Sequence, residues 1–158
     1  MKLALLVIIA TALFVGCSNT STSPVTQYVE VDPLLDSATV VTVHRVVDGD
    51  TFDFLIGRDT IDIRILGMDA FETRHGARLD SQAARAGISV DSAYARGLRA
   101  KAFADSLLSG QKALLTRDFS EPNFDTYNRL LRNVYYYDGT KTKKYSDLLI
   151  QMGLALVD

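Results

Sequence analysis

Residues 46–72 read VVDGDTFDFLIGRDTIDIRILGMDAFE, and this stretch decides the fold. Phe52, Phe54 and Ile56 alternate with Thr51, Asp53 and Leu55; after Gly57-Arg58-Asp59, Ile61, Ile63 and Ile65 alternate with Asp62, Arg64 and Leu66. Two runs of period two about a glycine turn predict a β-hairpin. Antiparallel partners keep a nearly constant index sum, so a turn over 57–59 brings Arg64 back to the neighbourhood of Asp50. An acidic tight turn, Asp48-Gly49-Asp50-Thr51, precedes the first strand, and Asp69 and Glu72 follow the second. Asp50, Arg64, Asp69 and Glu72 are therefore expected to converge at one end of the hairpin.

Taken singly, each of these residues has an ordinary use. An Asp-Gly turn supplies positive φ in any hairpin. A strand arginine usually faces water, and Asp69 and Glu72 alone could open a loop or a helix. Their conjunction points further. Two carboxylates with room for a cation, a guanidinium with fork geometry for a phosphate, and a carboxylate able to take a proton from water are the parts of metal-assisted phosphodiester chemistry.

Working outward, the order DGDT, then IRILGMDAFE, then Asp125-Thr-Tyr-Asn-Arg129 before an apolar strand, then a short helix ending in Gly153-Leu154-Ala155, resembles the staphylococcal nuclease (thermonuclease) family. The likeness runs from Val41 to Val157. It implies an α+β, mainly β, fold: a five-stranded OB-type barrel with two packed helices and without the family's third, C-terminal helix. It also implies a calcium-dependent nuclease acting on DNA and/or RNA and leaving 3′-phosphates. By the resemblance Asp50 and Asp69 are side-chain ligands of Ca2+ and the Ala70 carbonyl is a backbone ligand. Arg64 and Arg129 grip the phosphate, and Glu72 is the general base. Ala70-Phe71 stands where the family has Thr-Pro, which predicts a looser turn ahead of Glu72, and Asn128 and Leu130 replace glycines around the second arginine. The alternative is a non-catalytic OB-fold module that binds nucleic acid or protein. Degenerate copies of that kind lose the acidic and arginine residues, which are all present here.

Beyond the hairpin, Thr73 to Val90 is polar and reads as a solvated connection beside Glu72, with His75 as an exposed loop residue. A helix is expected from an N-cap at Asp91 or Ser92 to Leu108, with Ala100, Phe103, Ala104, Leu107 and Leu108 as its buried stripe. Strands are expected over Lys112–Phe119 and Leu130–Tyr137, and Ser146 is expected to cap a last helix through Met152. Alternation sends at least one of Tyr135, Tyr136 and Tyr137 into the barrel. Tyr127, beside Arg129 in a loop, is the better candidate to contact substrate.

The first 17 residues read as a targeting signal. Met1-Lys2 is a short basic end, and Leu3 to Val15 is too short an apolar run to cross ~30 Å of hydrocarbon as a helix. Gly16-Cys17 then closes the signal as in bacterial lipoproteins, so Cys17 would be lipidated; a plain secretory signal is the alternative. Lipidation also accounts for a chain with one cysteine. Residues 18–39, broken by Pro24 and Pro33, read as a tether in which Tyr28 to Val31 could pair as an edge strand. Residues 40–158 suit one domain, expected to be monomeric and without a protein partner.

The formal net charge is −2, and loss of Lys2 with the signal makes it one unit more negative. This excludes a basic domain that holds nucleic acid by its bulk field. Binding must come from local groups: Arg64, Arg129, Arg74, Arg78, the Lys141 to Lys144 loop and the metal. Such association is expected to be transient and salt-sensitive.

Overall fold

A computed structural model describes residues 38–158. The expected signal with Cys17 and the edge strand at 28–31 lie outside the described residues. The hairpin forms where alternation put it. Strands β2 (Thr51–Ile56) and β3 (Asp59–Ile65) pair antiparallel from Thr51↔Arg64 to Ile56↔Asp59, so the connection is the dipeptide Gly57-Arg58.

Strand β1 (Thr39–Val46) pairs with β2 and with β5 (Lys112–Thr116), and an irregularity between Val43 and Arg45 bends it across both edges. Strand β6 (Leu130–Tyr137) pairs antiparallel with β5 and parallel with β3, from Ile63↔Leu130 to Ile65↔Arg132. The parallel pairing closes β1, β2, β3, β5 and β6 into a barrel of the OB type. Val43, Phe52, Phe54, Ile63, Ile65, Leu115, Leu130 and Val134 fill it. Strand β7 (Thr142–Lys144) extends β6, while the short β4 (Asp69–Ala70) and β8 (Ala155–Leu156) pair with each other outside the barrel.

The two expected helices are present. Helix α2 (Val90–Leu108) begins two or three residues early, because Ser89 is the N-cap and its side chain accepts the Ser92 N–H. Its Ala100, Ala104 and Leu108 belong to the barrel core, with Phe103 and Leu107 packed against it. Helix α3 (Tyr145–Gln151) follows β7 directly; Lys144 takes the cap position without a side-chain bond, and Ser146 is buried in the first turn. Gln111 opens the return to β5, which stops at Thr116, so the expected strand to Phe119 is shorter and Phe119 is exposed. Tyr136 turns inward and Tyr137 outward.

The segment expected as a solvated connection contains a further helix, α1 (Ala77–Ala86), between Gly76 and Gly87. Leu79 and Ala83 are one turn apart and join Phe71 and Ala93 in a second, smaller apolar cluster. This cluster packs α1 against α2 and the residues after β4. A polar connection became a helix because few apolar side chains on one face are enough when a prepared apolar surface receives them.

Candidate active site

Closing the barrel through β3 and β6 sets the site at one end of the hairpin. Arg64, buried on β3, lies between two carboxylates: its Nη1 pairs with Asp50 Oδ2, and its Nη2 lies 3.3 Å from Asp69 Oδ1 and donates to the Met68 carbonyl at 3.3 Å. Asp50 sits in the turn before β2, where its Oδ2 also accepts the Ala70 N–H at 2.7 Å and its Oδ1 the Thr51 hydroxyl at 3.1 Å. Tyr145 holds that turn from the far side, its hydroxyl donating to the Gly49 carbonyl at 3.1 Å. Burial pushes the Asp50 carboxyl up to about 6; Arg64 and the Ala70 N–H pull it down only partly.

Asp69 is held by the β4–β8 pairing, opposite Leu156. Both of its oxygens are engaged from α1: Arg78 Nη2 reaches Oδ1 at 2.8 Å and Arg85 Nη2 reaches Oδ2 at 2.9 Å. Burial opposes ionisation of Asp69, but Gln82 and the guanidiniums of Arg78 and Arg64 outweigh it and hold the carboxyl below its ordinary value. The Ala70 carbonyl accepts from Gln82 Nε2 at 2.8 Å.

Arg129 enters from the loop before β6. Asp125 aims it, accepting its Nε at 2.7 Å and its backbone N–H at 2.9 Å, and Arg129 Nη1 donates to the Thr51 hydroxyl at 3.2 Å. Asn128 takes φ 63°, the left-handed conformation that asparagine tolerates among residues with a side chain. Tyr127 is 78% exposed, with the Arg129 guanidinium 5.4 Å from its ring centroid. A cavity of about 490 Å³ is lined by Arg64, Asp69, Arg78, Arg85, Tyr127 and Arg129, among others.

Of the residues expected to converge, Asp50, Arg64 and Asp69 meet directly, and Arg129 joins them through Thr51. Glu72 stands apart. Its Oε1 pairs with Arg78 Nε at 2.6 Å, and it lines a neighbouring cavity of about 350 Å³ with Asp48, Arg74 and Lys101. Arg78 therefore links Glu72 to Asp69.

The donor set fits a hard cation: two carboxylates flanking one guanidinium, and the carbonyl of Ala70 next to Asp69 in β4, all oxygen. Among the described residues no three His, Cys, Asp or Glu side chains gather around one point, so such an ion would keep several waters. It would also have to displace guanidiniums from Asp69. Arg78 and Arg85 have side chains 55% and 49% exposed and regain water when they let go, whereas Arg64 is buried. Asp69 itself is buried, so their release is offset only because the cation supplies the positive charge that they withdraw.

Sequence reasoning missed the roles of Arg85 and Gln82 and placed Arg78 in a loop. Their spacing carried the signal: positions 78, 82 and 85 fall on one helix face, as do the apolar 79, 83 and 86. Residues 62–158 match the sequence model of a family described as staphylococcal nuclease homologue. A comparison with curated proteins found no match.

Proposed function

Because the chain belongs to the family of staphylococcal nuclease homologues, we propose that it is a calcium-dependent nuclease that hydrolyses phosphodiester bonds of DNA and/or RNA to leave 3′-phosphates. The observation that carries this reading is Arg64 set between Asp50 and Asp69 on a cavity that Arg129 also lines. Asp50 and Asp69 would hold the cation with their carboxylates and Ala70 with its carbonyl. Oxygen donors without thiolate or imidazole argue for calcium over zinc, and a loose set completed by water suits calcium better than magnesium's strict octahedron. Bound there, calcium supplies Lewis-acid polarisation of the phosphoryl oxygen and a place for the attacking water.

The chain's own residues do the rest. Arg64 and Arg129 donate to the non-bridging oxygens, where charge grows as water attacks in line. Glu72 takes the proton from that water as its oxygen bonds to phosphorus. The bond from phosphorus to the 5′ oxygen breaks, and that oxygen takes a proton from solvent. Tyr127 offers its exposed ring to a base.

The alternative, an OB-fold module that binds without cleaving, draws its support from the closure of Asp69 by three guanidiniums. Incubating the purified domain with DNA and with RNA decides between them. The nuclease reading expects cleavage that a calcium chelator abolishes and that calcium, not magnesium, restores. Cleavage of neither polymer in calcium would favour the binding module, and full activity in chelator would reject the metal assignment.

The same reading extends to location: an exported lipoprotein anchored through Cys17, with 18–39 as its tether. Cys17→Ser should release the protein from membranes or leave its precursor uncleaved, and unchanged fractionation and processing would count against lipidation.

A further inference from the structure

Helix α1 contributes nothing to closing the barrel, yet it carries three polar side chains to the site from one face. Gln82 is used by the backbone of residues 70–72. Arg78 and Arg85 bind carboxylates instead, Arg78 also reaching Glu72 through Nε at 2.6 Å. Both rest on Asp69, both are about half exposed, and both line the cavity that holds Arg64 and Arg129.

We propose that Arg78 and Arg85 are substrate-binding residues that hold a phosphate of the nucleic-acid strand next to the one being cleaved, an inference that rests on the nuclease reading above. Asp69 offers two oxygens to three guanidiniums. When a cation takes those oxygens, the guanidiniums that leave are the exposed pair, since Arg64 is buried and also held by Asp50 and the Met68 carbonyl. Arg85 then loses its carboxylate, and Arg78 keeps Glu72 on Nε while its Nη2 is released, so both turn guanidinium N–H groups to the rim of a cavity that already holds two more arginines. The anion that fits is a phosphodiester, whose paired oxygens match a planar guanidinium. The two arginines lie two helical turns apart, ~10 Å along α1, and so present a row of charge rather than a point. A row suits successive phosphates along a strand. At about 490 Å³ the cavity has the size of a small-ligand site, so the phosphates beyond the nucleotide it takes must find partners on its rim. A chain whose net charge is negative needs such local groups to hold a polyanion.

The test is binding in calcium of a phosphorothioate single-stranded oligonucleotide, which resists cleavage, and of a mononucleotide with one phosphate, followed by fluorescence anisotropy over a range of salt. Arg78→Ala and Arg85→Ala, checked for folding by circular dichroism, should each weaken oligonucleotide binding by about 5- to 10-fold and lower the salt slope by about 0.7, one single-strand phosphate contact. Mononucleotide binding should stay within about twofold of wild type. A role limited to neutralising Asp69 predicts instead an unchanged slope, or an equal loss for both ligands, and either result overturns the proposal. So does failure of the wild-type protein to bind the oligonucleotide. Wild-type binding of an ordinary oligonucleotide without cleavage would reject the nuclease reading alone, and the slope would still report on these two arginines.

Discussion

Gln82 Oε1 accepts the backbone N–H of Glu72 at 2.9 Å, while Nε2 of the same side chain donates to the Ala70 carbonyl at 2.8 Å. One buried amide thus fixes the chain on both sides of Phe71. The sequence, with Ala70-Phe71 in place of Thr-Pro, predicted a loose turn here; the structure has a held one, because α1 supplies from outside the stiffness that proline supplies from within. Gln82→Leu leaves a donor and an acceptor unpaired in a buried place, each costing ~1–3 kcal/mol. The variant should lose several degrees of Tm and most of its turnover. Stability within ~0.5 kcal/mol of wild type in a denaturant titration would show that water replaces the amide.

Gly97 lies within α2, where helix propensity alone favours alanine by ~1 kcal/mol. A Cβ there would stand 2.6 Å from the Phe71 carbonyl oxygen and closer still to that of Glu72. The helix and the turn after β4 touch backbone to backbone, and neither can yield as a flexible side chain does. Overpacking should win, and Gly97→Ala is expected to destabilise by ~1–3 kcal/mol or more. Thermal unfolding measures it; a rise in Tm would mean that α2 can move away from Glu72 at little cost.

How far the sequence reaches is visible in particular residues. Strict alternation from Phe52 to Ile65 and a glycine turn made the β2–β3 hairpin and the meeting of Asp50 with Arg64 legible, because both depend on neighbours along the chain. The parallel pairing of Ile63 with Leu130, which carries Arg129 to the site, joins residues far apart in sequence and leaves no local pattern. The pairing of Asp69 with Leu156 is too short to leave one. Helix α1 stayed hidden because its buried set of Leu79, Gln82 and Ala83 is small and partly polar, and its arginines gave the segment the composition of a loop. Glu72 was expected beside Asp69 from spacing alone, but β4 and Phe71 set its side chain toward Arg78 and the neighbouring cavity.

Asp125 links loop order to pH. Its burial opposes ionisation, but the backbone N–H and guanidinium of Arg129 and the N–H of Tyr127 outweigh it and lower its pKa. A carboxylate lowered on folding contributes stability that is fully present above the ordinary Asp value of ~3.9 and is lost as pH falls through the lower folded value. The loop should therefore stay closed at pH 5 and open only in stronger acid. Carbon-13 NMR of the Asp125 carboxyl should give a midpoint below the ordinary value, moving up in Arg129→Ala. A wild-type midpoint at or above the ordinary value would remove Asp125 as the group that aims Arg129.

Arg64→Lys and Arg129→Lys test whether the guanidinium or only its charge is needed. Arg64 uses two nitrogens to span Asp50 and Asp69, and Arg129 uses three to reach Asp125 and Thr51. A lysine ammonium is a single point and cannot bridge such partners or donate two parallel bonds to one phosphate. Each variant should fold and lose about 10² or more in kcat, in line with removal of a preorganised donor to developing charge. Wild-type turnover in both folded variants would end these roles.

Glu72→Gln asks whether the residue apart from the others is the base. The change keeps the size of the side chain and its backbone bond to Gln82, but removes the charge that Arg78 Nε meets at 2.6 Å. If Glu72 takes the proton from water, kcat should fall by about 10² to 10⁴ while KM changes little. The lost partner should also loosen Arg78 from its place between Glu72 and Asp69. A base and a mere partner of Arg78 then differ in a double variant. If Glu72 is the base, Glu72→Gln costs about the same factor whether residue 78 is Arg or Ala, because the proton transfer is lost either way. If Glu72 only positions Arg78, Glu72→Gln should cost nothing further once Arg78→Ala is in place. Steady-state kinetics on the two single variants and the double variant give the answer, and a vanishing second effect would move the general base elsewhere.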